Sequence, residues 1–166
     1  MVTTSSASPS DLSTSPPAVH CRPVASPGEL EAHLRIRERV FVAEQGIFAV
    51  TDLDDRDADP ATVHVLGFCD GEAAGTVRIF SLDGEGTWVG DRLAVLPAHR
   101  SRRLAEPLVR FAVRTAGEHG GRLMRAHVQV ANVGFFSRLG WAALGGPADY
   151  LGRPHQDMVI ELSSGV

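Results

Sequence analysis

Residues 88–117, WVGDRLAVLPAHRSRRLAEPLVRFAVRTAG, constrain this chain more than any other stretch, because a buried strand passes into a helix through one short proline-marked turn. Val89, Leu93, Val95 and Leu96 give the strand, and Pro97, which has no N–H to add to a ladder, ends it. Leu104, Leu108, Phe111 and Thr115 then recur at i, i+4, i+7 and i+11, on one face of a helix. Arg100, Arg102 and Arg103 stand between the two elements. The first N–H groups of a helix have no partner within it. Such a turn therefore aims main-chain donors and three guanidinium groups at an anion beyond the C-terminal end of the strand.

With 166 residues, 43% of them apolar, the chain can bury one core, so a single domain is expected over residues 19–166. Residues 1–18, MVTTSSASPSDLSTSPPA, hold almost no large apolar side chain and are expected to form a disordered leader. A formal net charge of −4 gives no broad basic face, which argues against nucleic acid as a partner. No apolar run reaches membrane-spanning length and the N-terminus lacks a secretory pattern, so no membrane partner and a cytoplasmic location are expected. Cys21 and Cys69 stand far apart without a C-x-x-C pair and read as structural thiols. All 16 basic residues are arginine, which excludes a lysine base, a lysine Schiff base and a P-loop lysine.

The first elements are a strand at 20–24 and a helix from Pro27 to about Glu44, opened by Ser26-Pro27-Gly28-Glu29 with capping-box spacing and stopped by Gly46. Leu30, Leu34 and Phe41 are expected on its inner face. The stretch 52–59 packs five carboxylates before Pro60 and reads as a solvated loop. Asp55, Asp57 and Asp59 have D-x-D-x-D spacing, but the glycine and glutamate that complete a calcium loop are missing, so no metal is expected. Strands at 62–69 and 74–80 meet at Asp70-Gly71, a hairpin signal, and a turn at 83–86 leads to the strand of the opening. After the long helix come a strand at 123–130, a short helix at 132–139 and strands at 141–144 and 156–162. A Gly/Pro-rich excursion with the single tyrosine, Tyr150, separates the last two. The order βα-βββ-αβ-αββ makes an α/β sheet of mixed strand direction.

The segment RLAVLPAHRSRRLAEPLV resembles the acyl-CoA-binding motif of the GNAT N-acetyltransferase superfamily, [R/Q]-x-x-G-x-[G/A], with Arg100 and Ala105 at its ends. The segment from Asn132 to Trp141 is similar to the family's N-x-x-[FY]-[FY]-x-x-x-G-F. VFVAEQG, the Asp-rich loop, GTVR and the closing GRPHQDM resemble a bacterial branch of GNAT proteins, some forming the N-terminal part of larger enzymes. The resemblance implies the GNAT fold, a mostly antiparallel central sheet of 6–7 strands with helices on both faces, and acetyl-CoA as cosubstrate. It implies that the strand at Leu93, Ala94 and Val95 splays from the strand at 123–130. Its main-chain groups would then pair with the pantetheine arm, and an N–H near Leu93 or Ala94 would hold the oxyanion. Arg100, Ser101, Arg102, Arg103, Leu104, Ala105 and Glu106 would surround the pyrophosphate, with Asn132 and Phe136 also at the cofactor.

Two positions depart from the family pattern. Arg103 replaces the first motif glycine, a change that a pairing of its side chain with phosphate would offset. No tyrosine stands near Phe135 or Phe136, where many relatives carry the one that protonates the thiolate, leaving Tyr150 and His155 as candidates. Glu44, at the end of the first helix, is the first candidate base, against a structural pairing with Arg37 or Arg78. His64 and His127, inside strands, read as packed side chains, and His99 as part of the turn. The expected activity is direct transfer of an acetyl group to the amine of a small molecule. The alternative is a catalytically silent acyl-CoA-binding or partner-docking module. The pattern Arg37-x-x-Val-Phe41, Asp52-x-Asp-x-x-Asp57 and Gly75-Thr-Val-Arg78 also looks like acyl-homoserine-lactone synthases. A homodimer or a partner enzyme stays open.

Overall fold

The computed structural model describes residues 18–163. The expected leader lies outside them except for Ala18, whose carbonyl accepts from Asp70 N–H at 2.8 Å. The eight strands are β1 (Val19–Pro23), β2 (Val63–Cys69), β3 (Glu72–Ser81), β4 (Thr87–Val95), β5 (Leu123–Gln129), β6 (Ala142–Ala143), β7 (Ala148–Tyr150) and β8 (Arg153–Glu161), in one sheet ordered β1-β2-β3-β4-β5-β8-β6 with β7 also on β8. Every pairing is antiparallel except that of β4 with β5. Helix α1 (Pro27–Arg37) continues into a π-helical segment, Glu38–Glu44, while α2 (Ala105–Glu118) and α3 (Val133–Arg138) follow β4 and β5.

Local chemistry explains most boundaries. Ser26 Oγ accepts from Glu29 N–H at 3.1 Å and Pro27 sits where no donor is needed, which starts α1. Asp70 and Gly71 take φ of 51° and 84°, the double left-handed turn that two twisted strands require. The strand count exceeds the expected six to seven because the excursion before β8 folds back as β7, through a Leu151-Gly152 turn with φ of 52° and 77°.

Two apolar clusters cover opposite faces of the sheet. One gathers α2 and α3 residues such as Leu104, Leu108, Ala112 and Phe136 over Val65, Val77, Ile79 and Met124. The other packs Ile36, Val40 and Phe41 on Leu66, Phe68 and Ala94. Leu104 is fully buried against Gly67 and Gly75, and a Cβ on Gly75 would stand 2.9 Å from Ala94 O and from the Leu104 and Leu108 side chains. That close approach seats α2 on the sheet. The inner face of α1 is a correction: Leu30 and Leu34 are half-buried, whereas His33, Ile36 and Arg37 turn inward. The reason is electrostatic. The partners of Arg37 lie inside the fold.

Candidate functional site

β4 and β5 run side by side only at Thr87↔Leu123, Trp88↔Met124 and Val89↔Arg125, and then part. A bulge bends β4 beyond that point: Thr76 faces Ala94 and Arg78 faces Asp91, so Arg92 and Leu93 together oppose Val77, with Arg92 at φ 52°. Leu96 N–H donates to Ala74 O at 2.8 Å. Because main-chain direction alternates along a strand, Ala94 turns its polar groups to β3, and Leu93 and Val95 turn theirs toward the gap. Val95 O there accepts from Arg100 Nε at 3.2 Å, a side chain standing in for the missing strand.

A cavity of about 570 Å³ occupies the opening. Val109, Ala112, Phe136 and Trp141 line it from the α2 and α3 side, and Phe41, Ile47 and Phe48 from the α1 side. Trp141 is buried and its indole N–H has no hydrogen-bond partner. On the β5 flank, the Tyr150 ring lies 4.6 Å from the His127 ring in a stack and 5.3 Å from the His155 ring edge-on. His155 Nδ1 donates to Arg153 O at 2.8 Å, and His127 Nδ1 is paired with the Asp157 carboxylate, its cross-strand neighbour.

On the β3–β4 flank, the Asp-rich stretch is not a solvated loop. Asp52 is 2% exposed, and a turn of 3-10 helix, Asp55–Ala58, brings Asp57 and its cap residue Asp54 to buried arginines, while Asp55 and Asp59 stay exposed. Arg37, fully buried, donates to Asp52 at 2.7 Å and to Asp57 at 2.7 and 3.0 Å. Arg78, also buried, donates to Asp54 at 2.6 and 2.9 Å and to Asp91 at 2.8 and 2.7 Å, and Arg92 reaches Asp52 at 3.0 Å. Burial works against the charge on Arg37 and Arg78, but these hydrogen bonds outweigh it and hold both guanidinium groups protonated. Burial likewise opposes ionisation of Asp57 and Asp54, and the arginines outweigh it, so both carboxyls stay below their ordinary range. Asp54, Arg78, Asp91 and Arg92 all line the cavity. The hint in the sequence was arginine at two otherwise inward positions beside a surplus of aspartates.

The three arginines of the turn do not converge. Pro97–Arg102 is a 3-10 turn, and α2 begins only at Ala105, without a side-chain cap. Arg102 pairs with Asp70 at 2.7 Å. Arg103 takes the left-handed conformation, φ 55° and ψ 42°, and its side chain lines a separate groove on the flank of α2 with Cys21, Pro107 and Phe111. The motif glycine is thus replaced in side chain but not in backbone shape. Arg100 is bound by Glu44 through both guanidinium nitrogens, one contact measuring 3.0 Å. That bond holds the Glu44 carboxyl below its usual range and makes it a poor proton acceptor, and Glu44 is absent from the cavity lining. The expected alternatives, Arg37 and Arg78, belong instead to the buried aspartates.

Of the other anticipated residues, Leu93, Asn132, Phe136, Tyr150 and His155 line the cavity, Ala94 and Val95 continue β4 beside it, and Leu104 is core. Ser101 lies in the turn and Ala105 opens α2, where Glu106 pairs with Arg110 at 2.9 Å. His127 was read from sequence as packed, yet it is half-exposed and faces the cavity. Strand alternation beside a gap was the only signal for it. Among the described residues no group of His, Cys, Asp or Glu is placed to hold a metal ion, and no helix is long and apolar enough to cross a membrane.

A Bacillus subtilis (strain 168) protein provisionally named an acetyltransferase is 25% identical over 138 residues, covering 82% of this chain and 92% of its own. Escherichia coli ElaA superposes with a TM-score of 0.76 at 24% identity, over 85% of this chain and 98% of its own. The CoA-dependent acyl-homoserine lactone synthase BjaI, solved with MTA, gives a TM-score of 0.70 at 18% identity, over 87% of this chain and 83% of its own. At those identities the two structures establish the fold alone. Residues 30–141 match the Acetyltransferase (GNAT) family, and with the parted β4 and β5 strands in place the chain belongs to that family.

Proposed function

We propose that the protein is an N-acetyltransferase that moves the acetyl group of acetyl-CoA directly to the amine of a small molecule. The observation that carries this reading is the separation of β4 from β5 after Val89, which leaves main-chain groups of Leu93 and Val95 facing a cavity of about 570 Å³. A peptide-like pantetheine arm matches groups left without a strand partner, and would displace Arg100 Nε from Val95 O. Arg100, Ser101, Arg102, Arg103 and the uncapped start of α2 at Ala105 and Glu106 would hold the pyrophosphate, largely through main-chain N–H groups. Arg100 would exchange Glu44 for phosphate. Leu93 N–H would stabilise the oxyanion, since its direction is toward the gap. Among the described residues no cysteine or serine lines the cavity, which favours attack by the amine within a ternary complex over a covalent intermediate. Tyr150 or His155 would supply the proton to the departing thiolate.

Calorimetric titration with acetyl-CoA, followed by thiol release with a panel of primary amines, tests the reading. Binding with turnover is expected. Binding alone would favour a silent acyl-CoA-binding module, and no binding would remove both. A series of acyl-CoAs of rising chain length separates acetyl transfer from the longer-chain acylation that the acyl-homoserine-lactone likeness suggests.

A further inference from the structure

We infer that His127, oriented by Asp157 and covered by Tyr150, takes the proton from the attacking amine. The inference rests on the acyl-transfer reading above and replaces Glu44 in that role.

Position comes first. Met124, Ala126 and Val128 of β5 pack into the cluster beneath α2, so the alternate residues point to the other face. Gln129 shows that direction, because its Nε2 donates to Gln45 Oε1 at 3.1 Å beyond the π-helical segment. His127 shares this side and lines the cavity. The tautomer follows from its partner. An Asp157 carboxylate oxygen accepts only, so the ring proton sits on Nδ1 and the lone pair on Nε2 is free.

Elimination points the same way. The titratable groups on the cavity wall besides arginines are Asp54, Asp91, His127, Tyr150 and His155. Both aspartates are bound by Arg78 at 2.6 to 2.9 Å, so their oxygens are already engaged as acceptors of that guanidinium. His155 Nδ1 donates to the Arg153 carbonyl, a neutral group. Only His127 has a carboxylate behind it. Asp157 from β8, Arg125 on the same strand at 3.9 Å from Asp157, and Tyr150 from β7 with His155 beyond it are the charged and titratable groups around the ring.

In the step itself the amine lone pair forms the N–C bond at the thioester carbonyl, whose oxygen takes up the π electrons. The carbonyl re-forms and expels the C–S pair as CoA thiolate. One amine proton passes to His127 Nε2, and the thiolate gains a proton from Tyr150 or water.

The test uses the full chain with ¹⁵N-labelled histidine and acetyl-CoA. His127 should show the Nδ1–H tautomer, and its ring signals should shift on addition of acetyl-CoA. His127→Asn keeps an N–H within reach of Asp157 but removes Nε2. It should lower kcat about 10²- to 10³-fold with unchanged acetyl-CoA Kd and unchanged Tm. Asp157→Ala removes the acceptor behind Nδ1 and should raise the share of the Nε2–H tautomer in the same spectrum. A proton on Nε2, ring signals indifferent to acetyl-CoA, or a fully active His127→Asn variant would overturn the assignment of the base while leaving the transferase reading intact. Failure of the wild-type chain to bind acetyl-CoA would overturn both.

Discussion

Arg103→Gly should make this protein more stable although it deletes a side chain. An L-residue in the left-handed region costs about 1–2 kcal/mol, and Arg103 is there at φ 55° and ψ 42°. Glycine removes that cost but widens the unfolded ensemble, which takes back roughly 0.4–1 kcal/mol. The guanidinium makes no ion pair among the described residues and lies near the positive end of α2, so its loss subtracts little. The net gain is about 0.5–1 kcal/mol, or roughly 1–4 °C in Tm for a domain of this size. Arg103→Ala is the control, because it removes the side chain yet keeps a Cβ in the same backbone conformation. It should leave Tm within about 1 °C, well under the shift expected of glycine. Acetyl-CoA affinity should change less than about threefold in both variants, since the side chain points to the flank of α2 and the backbone shape persists. Thermal unfolding and calorimetric titration read the two quantities. A lower Tm for Arg103→Gly would refute the strain argument. An equal tenfold loss of affinity in both variants would show that the guanidinium, not the turn, grips the phosphate.

Arg37→Met removes the donor shared by Asp52 and Asp57 and should cost about 3 kcal/mol in urea unfolding, because two enclosed carboxylates lose a buried counter-charge that Arg92 and Arg78 replace only in part. Asp57 and Asp54 have folded pKa values depressed below the unfolded value near 4, so their stabilisation is present above about pH 4 and is lost as pH falls further. Asp57→Asn should accordingly flatten the acid limb of stability against pH, and an unchanged limb would count against the network. Trp141→Phe keeps the aromatic packing against Phe136 but deletes an unsatisfied buried N–H, so Tm should hold or rise, and a clear fall by thermal unfolding would refute the unsatisfied donor.

Local chemistry made the frame readable. The Ser26 cap, the Asp70-Gly71 hairpin and the spacing of Leu104 and Leu108 are rules of neighbours in sequence, and each element stands where those rules put it. β7 was hidden because Leu151 in the left-handed region is not a residue that turn chemistry selects. The partners of Arg37 were hidden for a different reason: its register with Leu30, Leu34 and Phe41 hints at the inner face, but only tertiary structure brings Asp52 and Asp57 to it. The same holds at the site. Tyr150 and His155 stood out as rare groups in an odd segment, whereas His127 and Asp157 acquire meaning only once β5 and β8 are set in register beside an opening.

The brevity of the parallel seam also has a mechanical side. β1 to β4 form one leaf and β5 to β8 the other, and among the described residues the ladder they share is three residue pairs long. An extended thioester arm lying along Leu93 and Val95 would act as a borrowed ninth strand, lengthening the stitch from within. Occupancy would then stiffen the molecule along the line where it is weakest, and amide exchange at residues 90–95 would slow when the arm is in place.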